Sequence, residues 1–347
     1  MAIIFMALFV LGAILLSNYI YERHWDRGLY LDFMFSAREA FEGDKLHLSE
    51  ELSNSKMLPL PWLLVKFQLS KNLKFSHSAD PSASDKYYQF DLFSLMGYKR
   101  VRRKHYFTCQ KRGYYKIRRI DLVCSNLLHT KNYAKQIDCV SELTVFPKPL
   151  EHNELLSDIE LKNLDALILS NSISNPDVFE FKGIRDYMPT DSLCFVNFKA
   201  SAVSQRLMVN VHAPTSSRRL EIVLNLEPEE PAADPEDYEQ AIRLAATIAK
   251  RYIGEGVNVG LITNGLDVST ARPITVFGGS SAAHLYKIYE ALARTAVPLV
   301  CPPFAPQLES ICGGEAVYLL ISPHQGDELA YVVESLKARG VDIYSYT

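Results

Sequence analysis

None of the six cysteines (Cys109, Cys124, Cys139, Cys194, Cys301, Cys312) pairs with another at a CxxC spacing. That excludes a zinc-ribbon or thioredoxin-like motif and points to reduced, mostly buried thiols. The chain also lacks a charge excess: the net charge is -3 with 22% charged residues, so nothing global marks a nucleic-acid binder. Nucleotide signatures are missing. Gly254-Glu255-Gly256 to Gly260 follows a helical pattern rather than a strand, and its spacing is wrong for a dinucleotide fingerprint. Gly278-Gly279-Ser280-Ser281 has no following Lys and reads as a helix cap. There is no Gly-x-Ser-x-Gly elbow, and His284 and His324 stand alone.

A long apolar run does occur, at residues 2–16. Ser17 to Tyr21 extend it to a charge-free span of about 20 residues, enough to cross a bilayer. No Lys or Arg precedes it, and Arg23 and Arg27 follow it. By the positive-inside rule the expected topology is single-pass, with the N-terminus outside and the remainder cytoplasmic. Tyr19, Tyr21 and Trp25 suit a membrane interface. A cleaved signal peptide is the rival reading, but it lacks a basic n-region and a small-x-small site. The expected anchor is residues 1–22.

Residues 28–149 predict a β-rich, sandwich-like domain. Lys45-Leu46-His47-Leu48 alternates, and Trp62–Leu69 places Leu63, Val65 and Phe67 on one face. Lys71–Asp91 reads as an exposed loop. Arg100–Thr108 and Tyr114–Cys124 predict a hairpin turning at Lys111-Arg112-Gly113. The stretch from Lys99 to Arg119 holds ten basic residues and no acid, among them Arg100, Arg102, Arg103, Lys104, Arg118 and Arg119. Basic solvent faces are the plain account. A membrane surface or, less favoured, nucleic acid are the alternatives.

Residues 150–219 read as a connector carrying an elaborate polar loop, Gly183-Ile184-Arg185-Asp186-Tyr187-Met188-Pro189-Thr190-Asp191, continuing Val196-Asn197-Phe198-Lys199-Ala200. From residue 220 to 347 the period changes. Leu220–Leu226, Val257–Thr263, Ala316–Ser322 and Val341–Tyr344 are short buried-strand runs. Between them come helical patterns, the first opened by Asp234-Pro235 and carrying Tyr238, Ala241, Ile242, Ala245, Ile248, Ala249 and Tyr252 on one face. Pro273–Phe277 is expected to run antiparallel. The fold class is therefore multidomain α+β, ending in an α/β domain with a mostly parallel sheet.

The loop 183–202, together with Phe41-Glu42-Gly43, Leu58-Pro59-Leu60-Pro61-Trp62 and Lys111 to Tyr115, resembles domain of unknown function family 58, a bacterial family. Thr190 stands where that family usually has Gly and Phe198 where it has Trp. Cys124 to Leu128 replaces its usual Asp-Pro-Phe-Gly. The C-terminal element order is similar to the von Willebrand factor type A fold, which that family also carries. The resemblance implies a membrane-anchored cytoplasmic scaffold or adaptor in a bacterial inner membrane. It further implies a MoxR-type AAA+ ATPase as partner and a role in assembling other proteins; with no catalytic motif in the chain, no enzymatic activity or cofactor is expected. Arg185, Asp186, Tyr187, Asp191, Asn197, Phe198 and Lys199 form the signature. They would either bind a partner or staple the loop, with Phe198 as an aromatic plug.

In a metal-binding type A domain the first strand ends in Asp-x-Ser-x-Ser. Here Asn225, Glu227 and Glu229 stand in its place, so no metal is expected and the loop reads as degenerate. A hydrolase using the acidic loop or the signature carboxylates is the enzymatic alternative. It requires two convergent carboxyls with raised pKa.

Overall fold

The computed structural model describes residues 2–75, 86–127, 129–150, 158–174, 176–189, 191–214, 219–228, 234–297, 303–313, 316–324 and 326–346. They fall into two compact units, Met1–Lys148 and Pro149–Thr347.

The first unit opens with helix α1 (Ala2–His24), long and apolar enough to span a membrane, a property signal sequences share. Nine strands follow: β1 (Leu29–Phe35), β2 (Glu39–Phe41), β3 (Lys45–Asn54), β4 (Leu60–Ser70), β5 (Leu73–Phe75), β6 (Lys86–Leu95), β7 (Arg100–Cys109), β8 (Gly113–Ser125) and β9 (Asn132–Phe146). They form a four-stranded sheet, β1-β3-β7-β5, and a five-stranded sheet, β2-β9-β8-β4-β6. All pairings are antiparallel except β2 with β9. Strict alternation drives this arrangement. Leu48 and Leu52 on β3 and Leu63, Val65, Phe67 and Leu69 on β4 are buried, and the two sheets share one core.

Three expectations for this unit are corrected. Residues 86–91 are the first part of β6, not a loop. Arg100–Thr108 and Tyr114–Cys124 do not form a hairpin, because β7 pairs with β3 and β5 while β8 pairs with β4 and β9. The connection is an arch between sheets. The buried Glu42 carboxylate holds it, accepting the Arg112 N–H at 2.7 Å and the Lys148 N–H at 3.2 Å. Gly113 leaves the arch at φ +153°, and a Cβ there would sit 3.2 Å from the Tyr115 ring. Finally, Tyr21 and Trp25 are not interface aromatics: both are buried in the sandwich core. The Tyr21 hydroxyl donates to the Pro59 carbonyl at 2.7 Å, and Trp25 stacks on Tyr133 with ring centroids 6.4 Å apart. The last turn of α1 is thereby fastened to the sheets.

The second unit contains α2 (Asp158–Ser174), β10 (Pro176–Asp186), a 3-10 turn at Leu193–Phe195, α3 (Phe198–Ser204) and β11 (Met208–Pro214). Then come β12 (Arg219–Leu224), α4 (Pro235–Gly254), β13 (Asn258–Asp267), β14 (Pro273–Gly279), α5 (Ala282–Arg294) and β15 (Thr295–Ala296). The unit ends with α6 (Phe304–Ile311), β16 (Val317–Ile321), α7 (Asp327–Ala338) and β17 (Ile343–Tyr346). The expected connector is corrected in part: it holds α2, whose Leu161, Leu164 and Ile168 are buried at helical spacing. The Asp165 carboxylate accepts from the Tyr252 hydroxyl at 2.7 Å and pairs with Arg251, tying α2 to α4. The signature also begins in a strand, since Gly183 to Asp186 belong to β10, which pairs antiparallel with β11.

The main sheet has the order β14-β13-β12-β16-β17, with β15 beside β13. Strands β12, β13, β16 and β17 are parallel and β14 is antiparallel. The inner strands β12 and β16 are buried almost throughout, as residues covered on both faces must be. Asp234 caps α4, its carboxylate accepting the Glu236 N–H at 3.0 Å with Pro235 behind it. Ser281 caps α5, as the reading of Gly278 to Ser281 anticipates.

Candidate functional site

Chain reversal in the sheet order defines a crevice. From β12 the chain crosses to β13 on one side, and it later returns to β16 on the other. A cleft opens beyond the carboxyl ends of β12 and β16, where open α/β sheets characteristically receive ligands. It has a volume of about 280 Å³ and is lined by Asn225, Glu227, Phe304, His324, Asp327 and Glu328, among others.

Asn225 and Glu227 are bonded to neighbouring groups. Asn225 Oδ1 accepts from Asn264 Nδ2 at 2.8 Å and from the Glu227 N–H at 3.0 Å. Asn225 Nδ2 donates to Ser322 Oγ at 3.1 Å, while Ser322 Oγ donates to the His324 carbonyl. Asn264 Oδ1 accepts the Leu226 N–H at 2.7 Å. The Glu227 carboxylate accepts the Phe304 N–H at 3.0 Å, at the start of α6. Thus Asn225 and Glu227 come together as the sequence places them, but as a network of amides and a helix-end carboxylate. Glu229 lies outside the described residues.

In the signature, Arg185 grips Asp191 through two parallel bonds, Nη1 to Oδ2 at 2.7 Å and Nη2 to Oδ1 at 2.6 Å. Asp191 Oδ2 also accepts the Met188 N–H at 2.8 Å. Both interactions hold its carboxyl below the usual aspartate range, the Arg185 bond contributing most. A general acid would need the opposite shift. Asn197 caps α3, accepting the Ala200 N–H, and its amide donates to Asn210 on β11. Asp186 and Lys199 are exposed, and Tyr187 is half-buried. Phe198 is no plug: at the first position of α3, a helix with no buried residue, it is 77% exposed. Met188, Leu193, Val203 and Leu207 in the same module are also exposed.

The basic stretch divides between two sheets. Arg100 and Arg102 pair with Glu51, Arg103 pairs with Asp91, and Lys116 pairs with Glu142. Lys104, Arg118 and Arg119 are exposed and Arg112 is buried. A single basic hairpin face does not form.

One cluster escaped the sequence reading. Glu50 on β3, His105 on β7 and Asp91 on β6 meet between the two sheets of the first unit, with their donor atoms all within 4.8 Å of one another. His105 Nε2 lies 3.1 Å from Glu50 Oε2 and 3.4 Å from Asp91 Oδ2. Arg103 binds the other Asp91 oxygen at 2.6 Å and lies over the Phe93 ring. Burial pushes the Glu50 carboxyl up, against a smaller downward pull from its bond with His105. The available signal was a polar residue on an apolar face: Glu50 sits between Leu48 and Leu52, and His105 precedes Phe107 and Cys109 at alternating positions.

No family model matches the chain. No curated protein matches it. Solved structures overlap it only in part. The CARDB domain of a Pyrococcus furiosus protein, crystallised with di-metal ions, is 12% identical and covers 34% of this chain and 93% of its own, at a TM-score of 0.22. A non-cellulosomal cohesin from Archaeoglobus fulgidus is 5% identical, covering 33% and 90%, at 0.23. Spo0M, a sporulation control protein from Bacillus subtilis, is 8% identical, covering 46% and 58%, at 0.19. Likeness this slight bears on neither fold nor function.

Proposed function

We propose that this chain is a membrane-tethered, non-enzymatic scaffold that docks partner proteins through its second unit. The observation that carries the reading is the β10–α3–β11 module. Its charged signature pair is spent on itself, while Met188, Leu193, Phe198, Val203 and Leu207 stay in solvent. Exposed large apolar side chains concentrated in one small module mark a surface that gains by being covered. The switch-point cleft supports the same reading, since its amides and Glu227 are engaged with neighbouring groups rather than poised for chemistry.

The type A-like assignment belongs to this proposal. The order β14-β13-β12-β16-β17, with β14 alone antiparallel among these five strands, is the arrangement that resemblance implies. So do the membership in family 58, the cytoplasmic placement of the two units and the MoxR-type AAA+ ATPase as partner. These rest on the signature residues and the charges after α1.

The test is binding of the full chain, in detergent, to a purified MoxR-type ATPase from the same organism. Burying a large apolar side chain is worth about 2 kcal/mol. Leu193→Ser with Phe198→Ser should therefore weaken the complex by well over tenfold while leaving the fold intact. Absence of a complex with or without nucleotide removes the proposed partner. An unchanged affinity in the double variant removes the proposed surface.

A further inference from the structure

Two carboxylates, one imidazole and one guanidinium meet in the interior of the first unit, and their hydrogen bonds do not balance. Glu50 is fully buried and Asp91 nearly so. Glu50 Oε1 and Asp91 Oδ2 are both sealed from solvent without a hydrogen-bond donor. Arg103 supplies one permanent positive charge, and it is committed to Asp91 Oδ1 and the Leu92 carbonyl. His105 Nε2 faces an oxygen from each carboxylate but carries at most one proton, so it can donate a good bond to only one of them. Buried carboxylate oxygens left in this condition are costly.

The spacing offers a resolution. Ligand atoms about 2.0–2.1 Å from a tetrahedral ion lie roughly 3.3 Å apart. The two edges from His105 Nε2 measure 3.1 and 3.4 Å. One imidazole with two carboxylates is a donor set for a divalent transition metal. Calcium would need six to eight oxygen ligands, and magnesium usually keeps several waters.

We propose that Glu50, Asp91 and His105 bind one divalent transition-metal ion of the zinc type, which ties the four-stranded sheet to the five-stranded sheet. Glu50 and His105 come from adjacent strands, placed diagonally by the register Leu48↔His105 and Glu50↔Arg103, and Asp91 comes from β6 in the facing sheet. An ion held through Glu50 Oε2, Asp91 Oδ2 and His105 Nε2 satisfies the orphaned Asp91 oxygen and offsets the one negative charge that Arg103 leaves uncompensated. Water completes the coordination from the partly accessible side of His105. Arg103, lying between Asp91 and the Phe93 ring, fixes the Asp91 carboxylate in position.

The experiment uses the full chain in detergent, stripped with chelator and dialysed against zinc chloride, with bound metal counted by mass spectrometry. A single equivalent of zinc per chain is expected, with a rise in the melting temperature of the first unit. Glu50→Gln and His105→Gln should each weaken binding by more than the roughly 10–100-fold that loss of an outer hydrogen-bond partner costs. X-ray absorption on the zinc-loaded parent should show one imidazole among oxygen ligands, a readout that stands even if the variants fail to fold. Absence of stoichiometric zinc would overturn the proposal, as would retention by both folded variants. Thiolate ligation in the absorption spectrum would place the ion at a cysteine instead and equally overturn it.

Discussion

Asn225→Ala is the sharpest probe of how the second unit is held together. Asn225 sits just past β12, 5% exposed, and makes three side-chain hydrogen bonds: from Asn264, from the Glu227 backbone and to Ser322. Removing the amide takes the shared acceptor from two donors and the donor from Ser322. A net bond is worth about 0.5–1.5 kcal/mol, and a buried group left unsatisfied costs about 1–3 kcal/mol. The expected loss is therefore about 2–4 kcal/mol. For a unit of this size that lowers the melting temperature by roughly 5–15 °C. Both tryptophans, Trp25 and Trp62, lie in the first unit. Their fluorescence should hardly move, while the helical signal in far-ultraviolet circular dichroism shifts. Asn225→Asp is the control. Its carboxylate keeps both acceptor bonds but brings a buried charge near Glu227. Burial raises such a pKa, so the Asp variant should approach the parent at acid pH and lose stability as pH rises. An Ala variant within about 0.5 kcal/mol of the parent, the scatter of an ordinary surface change, would refute the idea that these amides bind the strand ends together.

Glu221, buried in the central strand β12 beside Arg219, has its carboxyl pushed up by burial, with Arg219 pulling the other way. A raised folded-state pKa means that stability is highest below the unfolded value near 4.5 and falls as pH climbs through the raised range. Glu221→Gln should flatten that slope in urea unfolding of the second unit, and an unaltered slope would show that another group titrates. Gly260→Ala should destabilise the same unit, because a Cβ there would collide with the Glu221 carboxylate; wild-type stability would show that the carboxylate swings aside freely. Arg185→Ala should speed chymotryptic cleavage at Tyr187 by freeing the loop that Asp191 fastens. Equal cleavage rates in parent and variant would deny the staple.

Local patterns were enough for much of this molecule. The apolar run of α1, the alternation in β3 and β4, the Asp234-Pro235 start of α4 and the all-apolar strands β12 and β16 each follow from the period at which side chains meet a core. Pairing among the signature charges was one of two readings the sequence left open, and which residues pair, Arg185 with Asp191, is read from the structure. Other features depend on which strands become neighbours, and composition does not encode that. Whether β7 and β8 form a hairpin or an arch turns on their pairing with β3 and β4, far away in the chain. Tyr21 and Trp25 read as membrane-interface residues until the sandwich offered them a core, and Phe198 read as a plug until α3 turned it outward. Glu50, Asp91 and His105 are separated by 41 and 14 residues along the chain and come together only because two sheets close face to face. Sequence alone determined the strongly periodic elements named above and their buried faces, because those depend on neighbours within one or two turns, whereas α2 and the start of β6 escaped it. Tertiary structure decided the cluster, the cleft and the exposed module, because each joins side chains that only long-range pairing brings into contact.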